Sequence, residues 1–297
     1  MLRYLVLVVL TLLLVSCALP AEPPATSAPA AGPTLPLATF TPTPAETRAS
    51  ALSVPALTLV PPSPPPSTPT PLSAFWTLIF PGAETLKTTD GLAVLRHAPG
   101  LVRYGVHFEG DPDAALTVGQ WLDGDEEALA AVNCGFYWEK EGAYLHMGLL
   151  EVNEKRLAQV RPKWGAALVV RANRAAIVRQ PKKTIPPMTL GVQGWPTLLW
   201  KGAIVPEMAE LDDGTEARRT AVGVDAEGRV LWVVDGYGST LTRFAQRLLE
   251  EDIGLVDAVN LDGGASTGLR WRERPGGEQD GVESLPIPCV ITFAPRE

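Results

Sequence analysis

Histidine and cysteine are scarce: the 297 residues hold three of each. The histidines are His97, His107 and His146, all in the first half of the chain. No H-E-x-x-H and no paired C-x-x-C occurs, which removes the common zinc spacings. Gly264-Ala-Ser-Thr-Gly268 fits the G-x-S-x-G of a hydrolase nucleophile elbow. That chemistry needs a later histidine and a helix after the serine, and neither follows. No stretch reaches the roughly 20 apolar residues that a bilayer-spanning helix needs. A basic excess is missing too. Lys and Arg number 25 against 33 Asp and Glu, a net charge of −8, which argues against wrapping nucleic acid.

Proline is abundant, and unevenly placed. Sixteen of the 29 prolines fall between Ala18 and Phe75, where only Glu22, Glu46 and Arg48 carry charge. Proline lacks the donor that helices and sheets require, and few large side chains are present to build a core. Residues 17–75 therefore read as a semi-extended tether. Before them, Arg3 and the apolar run Leu5–Val15 have the layout of a signal peptide over residues 1–16. Leu14-Val15-Ser16-Cys17 resembles a lipobox, which implies cleavage before Cys17, its acylation and a membrane anchor outside the cytoplasm. Cys134 and Cys289 remain, either paired with each other or as two buried thiols.

Residues 76–297 carry almost all of the negative charge and are long enough for one sizeable core. Leu101–Phe108 alternates apolar and polar positions, as a half-buried strand does. The spacing predicts a short helix over Asp125–Leu129 and hairpins around Asn173 and around Asp225–Gly228. Leu241, Phe244, Ala245, Leu248 and Leu249 recur at helical spacing, with Ser239 or Thr240 as the cap and Gly254 beyond the end. Ala258–Leu261 and Pro286–Phe293 read as strands. The expected class is α+β, a single domain around a mixed β-sheet with flanking helices.

Three polar clusters interrupt the apolar strands. They are Asn133-Cys-Gly-Phe-Tyr137, then Arg218-Arg-Thr220 with Asp235-Gly236, then Asn260-Leu-Asp-Gly-Gly-Ala-Ser-Thr267. Glycine lets backbone approach a ligand with N–H groups free, and carboxylates at strand ends can do acid–base work. Asp-Gly is also common turn chemistry, and Asp235-Gly236 alone reads as readily as a turn. Arg219 is the candidate bidentate partner for a phosphate.

In this order the clusters, with the Gln193–Leu199 segment between the first and second, resemble the phosphodiester glycosidase family over roughly Leu101–Phe293. The resemblance implies an α+β domain whose matching residues line a cleft. It also implies hydrolysis of the bond between a sugar's anomeric carbon and a phosphodiester oxygen. Asp262 is then the expected nucleophile or base, and Asp235 the acid or a positioning carboxylate. Asn133, Gly135, Arg219, Thr220, Gly236, Asn260, Gly263, Gly264 and Ser266 are expected to bind substrate. Cys134, Ala265 and the pair Ala217-Arg218 depart from the family pattern. The alternative is a tethered module that binds a carbohydrate or sugar phosphate without turnover. No cofactor is expected, although clustered Asp235 and Asp262 would also suit a divalent cation. The expected partner is an anionic glycan or sugar phosphate. Its attraction would be local, against the overall acidic field, and only weakly sensitive to salt.

Overall fold

The computed structural model describes residues 76–251 and 253–297. The expected leader, the lipidation site Cys17 and the tether lie outside the described residues. Among those described, strands dominate and every strand pairing is antiparallel. The largest sheet has eight strands, in the order Thr77–Phe80, Ala83–Lys87, Leu92–His97, Val230–Ser239, Ala217–Asp225, Leu255–Asn260, Thr197–Trp200 and Ala203–Ile204. A five-stranded sheet runs Arg174–Arg179, Ala166–Arg171, Leu190–Gly194, Leu150–Val152 and Lys155–Ala158. A second runs Asp280–Val282, Leu269–Trp271, Ala130–Asn133, Cys289–Pro295 and Val102–Phe108. Tyr137–Lys140 and Ala143–His146 form a separate hairpin.

The expectation of one mixed sheet is therefore corrected. One core is shared by all three larger sheets. It holds Leu95, Val222, Trp232 and Val234 from the first, Leu168, Val170 and Val192 from the second, and Tyr104, Val132, Ile291 and Phe293 from the third. Strand periodicity explains the division: alternate residues of the eight-stranded sheet point the other way. Ala221, Leu231 and Val233 pack under the helix Leu241–Glu250 with Phe244, Ala245 and Leu248. Both faces of that sheet are covered, so its central strands read as nearly continuous apolar runs.

Helices are few. They are α1 (Val118–Gly124), α2 (Met208–Leu211) and α3 (Leu241–Glu250). The α3 expectation holds, with Thr240 capping the Arg243 N–H. The helix expected over Asp125–Leu129 is displaced to α1. Thr117 and Gln120 form a reciprocal capping box there, which sets the start earlier. The Asp125 carboxylate instead accepts from the Glu127 and Ala128 N–H groups, which makes a turn into the strand Ala130–Asn133. Cys134 and Cys289 form a disulfide, Cα atoms 5.5 Å apart, joining the ends of two neighbouring strands.

Candidate active site

The strand Leu255–Asn260 ends in a turn that carries Asp262, Gly263 and the short 3-10 helix Gly264–Ser266. Its shape is held by Asn133. The Asn133 Nδ2 donates to the carbonyls of Asp262 (2.8 Å) and Cys134 (3.2 Å). Its Oδ1 accepts from the Thr220 hydroxyl (2.9 Å) and the Gly268 N–H (3.1 Å). All four hydrogen-bonding positions of the buried amide are thus used inside the protein. Asn133 and Thr220 shape the turn and are not free to hold a ligand.

Asp262 lies at the centre of this turn. Its Oδ1 accepts from the Gly263 N–H at 3.0 Å, and the Ser266 and Tyr137 side chains are its neighbours. Burial raises the Asp262 carboxyl above its ordinary value, against the opposing pull of the Ser266 and Gly263 hydrogen bonds. Burial likewise raises the Tyr137 phenol. The turn is open at Gly264, where φ is +61° and a Cβ would meet nothing within 4 Å.

Asn260 supports the turn from the other side. Its Nδ2 donates to the carbonyls of Trp195 (2.9 Å) and Leu261 (2.8 Å), and its buried Oδ1 has no hydrogen-bond partner in the protein. Gly194 is pressed against this corner, since a Cβ there would come within 2.1 Å of the Asn260 carbonyl. Gly135 is packed in the same way, 2.6 Å from the Gln193 carbonyl. Beyond it stand the aromatic pairs Phe136–Trp164 (5.7 Å) and Tyr137–Tyr144 (5.0 Å), both edge to face.

Two expected residues are not brought together with Asp262. Asp235 and Arg219 are cross-strand partners, on the sheet face that turns toward α3. The fully buried Asp235 accepts from the Tyr237 and Gly238 N–H groups, from the Ser239 hydroxyl and from Arg247 Nη1 at 2.8 Å. It pins the end of its strand to α3. The carboxylate pair expected to serve as acid and base, or to hold a cation, is not formed, because Asp235 already has a buried cation and three other donors. Arg219 donates to the carbonyls of Ser239 and Thr215 and lies among Asp212, Asp213 and Asp235. It does not reach the Gly263-Gly264 turn as a phosphate clamp. Gly236 sits beside Asp235, its N–H bonded to the Gly91 carbonyl.

Arg218, next in sequence, points the other way. One terminal nitrogen donates to the carbonyls of Thr267 and Glu283, its buried Nε has no partner, and burial lowers its pKa. Arg218 and Tyr137 belong to the polar clusters of the sequence but had no expected role there. The signal was available in strand alternation: 218 and 220 share a face that 219 does not. Among the described residues, no cluster of three or more His, Cys, Asp or Glu side chains is placed to hold a metal.

The model of one family, the phosphodiester glycosidases, matches residues 126–293, more than half of the chain. The chain belongs to the phosphodiester glycosidase family. All the turn residues described above, and both cysteines of the disulfide, fall within that span. Solved structures are also similar to this phosphodiester glycosidase domain. One is the catalytic domain of zebrafish N-acetylglucosamine-1-phosphodiester α-N-acetylglucosaminidase, auto-inhibited by its pro-peptide. It superposes with a TM-score of 0.51 at 18% identity, over 72% of this chain and 77% of that one. At that identity the likeness is one of fold. A putative exported protein from Burkholderia pseudomallei gives a TM-score of 0.48 at 15% identity, over 72% of this chain and 74% of that one. A hypothetical protein from Synechocystis gives 0.46 at 14%, over 73% and 62%. No curated protein sequence matches the chain.

Proposed function

We propose that this phosphodiester glycosidase family member hydrolyses a sugar-1-phosphodiester of the N-acetylglucosamine-1-phosphodiester kind, on an envelope or extracellular glycan. In this reading the protein is exported and anchored by acyl chains on Cys17, with the proline-rich segment as its tether. The observation that carries the catalytic part is Asp262. It is a carboxylate on an open Gly-rich turn, its basicity raised by burial and its turn fixed by Asn133.

The chemistry follows from that placement. The anomeric carbon passes through an oxocarbenium-like state, which the adjacent carboxylate stabilises. Asp262 serves either as nucleophile to that carbon or as base toward the attacking water. The first course retains the anomeric configuration and the second inverts it. The leaving group is a phosphate monoester, which departs as a stable anion, so a second carboxylic acid is not required. The open backbone at Gly264 and the Ser266 hydroxyl face the phosphate, with the Arg218 charge behind the turn. Asp235 acts in this scheme by holding the strand end, not on substrate.

The test is turnover of N-acetylglucosamine-1-phosphodiesters by the wild type and by Asp262→Asn, with the configuration of the first-formed sugar read by NMR. Loss of turnover with retained fold supports the scheme; equal turnover in the two proteins sinks it. Binding of a sugar phosphate with no release of sugar by the wild type would instead establish the non-catalytic module. The lone carboxylate at the turn is the observation that keeps that second reading in play.

A further inference from the structure

The acidic average of this chain conceals a long span without any acid. Residues 155–206 contain ten of its 25 Lys and Arg and none of its 33 Asp and Glu. They supply four strands of one five-stranded sheet, Lys155–Ala158, Ala166–Arg171, Arg174–Arg179 and Leu190–Gly194. Arg156 pairs with Glu151, and Arg179 with Glu207 at 3.4 Å. The other eight cations of the span form no ion pair among the described residues.

These cations do not share one face: Arg171 and Arg174 are cross-strand partners, and Arg179, five residues on, points to the other side of the sheet. One group of them adjoins the candidate site. A groove of about 120 Å³ is lined by Lys163, Arg179, Gln180, Trp195 and Glu207, among others. Trp195 is 37% exposed, and its carbonyl holds Asn260, two residues before Asp262. Closer to the Phe136 side, the Arg161 guanidinium lies 5.3 Å from the centre of the Trp164 ring. Each flank thus sets a cation beside an aromatic face. Aromatic faces take the apolar sides of sugar rings, and the cations take anions.

A single phosphodiester brings one negative charge and leaves most of these cations unanswered. A chain with an anion on every repeat would answer several at once and release counterions as it bound. We propose that the patch formed by Arg161, Lys163, Arg179 and the exposed Lys182 and Lys183, with Trp164 and Trp195, binds a polyanionic glycan and delivers one of its glycosyl phosphodiester links to Asp262. This inference rests on the proposed activity and names its substrate as a polymer. It replaces the expectation of weak salt dependence with its opposite.

The test uses the full-length protein in detergent, with poly(glycerol phosphate) as the polyanion and dextran as the neutral polymer. A second protein carries Lys163→Gln, Lys182→Gln and Lys183→Gln, three exposed positions without ion pairs. Turnover of a small glycosyl-1-phosphodiester is measured in parallel. The wild type is expected to hold the polyanion but not dextran, and to release it as salt rises. The triple variant should bind it at least about tenfold more weakly while turning over the small substrate normally. Equal polyanion binding by the two proteins overturns the inference. So does equal retention of dextran, or tighter binding to phosphatidylglycerol nanodiscs or duplex DNA than to the polyanion. Failure of the catalytic reading shows separately, as absent small-substrate turnover by the wild type.

Discussion

The Asn133 side chain is bonded to the main chain of Asp262, 129 positions later in sequence, at 2.8 Å. The contact ties the strand Ala130–Asn133 of one sheet to the turn that leaves another. Asn133→Ala would leave the Asp262 carbonyl, the Thr220 hydroxyl and the Gly268 N–H without their buried partner. The expected cost is about 2–3 kcal/mol in urea unfolding, with a larger fall in kcat than rise in KM.

Asp262→Asn should remove about 10²–10⁴-fold of kcat/KM while the fold persists. The raised pKa adds a stability signature. A carboxyl whose folded-state pKa exceeds its ordinary 3.8 holds its proton more tightly when folded. Its contribution is therefore fully present below 3.8 and is lost as pH rises through the folded value. Asn cannot ionise, so the variant should melt above the wild type at neutral pH. The difference should vanish below the ordinary carboxylate range. Differential scanning calorimetry across pH reads both.

Asp235→Asn should behave differently. It strips the buried Arg247 of its fully buried partner, with Asp90 left as the remaining carboxylate at 2.8 Å. The expected loss is about 3–5 kcal/mol of stability. The double variant Asp235→Asn/Arg247→Met should recover part of that loss. A direct catalytic role for Asp235 predicts the reverse, with unchanged melting and lost turnover.

Stability should fall on acidification in a window set by the buried His97 and the half-buried His146. His97 accepts from the Trp232 indole at 3.2 Å, and burial pushes its pKa down to about 3. Burial likewise lowers His146 to about 4. Both take up protons more readily when unfolded, so stability drops as pH falls from 6.5 toward 4. The slope approaches about 1.4 kcal/mol per pH unit for each group. His97→Gln with His146→Gln should flatten urea midpoints over that window.

Much of the architecture was legible because the signals were local. Turn residues marked the Ala166–Arg179 and Ala217–Ser239 hairpins, and helical spacing with a threonine cap marked α3. The division into three sheets was not legible. Which strand pairs with which is set by side-chain packing across long sequence separations, as when Ala130–Asn133 pairs with Cys289–Pro295. Asp262 and its Gly-rich turn stood out as polar residues directly after a buried strand. The pairing of Asp262 with Asp235 did not survive, because motif order carries no information about which face of a sheet a residue occupies. The strand alternation that separates Arg218 from Arg219 does carry it.

The disulfide has a topological consequence. Cys134 and Cys289 stand near the two ends of the family-matched span 126–293, so their bond closes most of it into a covalent ring. A protease that nicks the mostly exposed connection at residues 182–187 cuts a ring rather than a line. Both pieces then stay on one molecule, with the basic sheet and the Asp262 turn still joined. They part only when a reductant opens the bond.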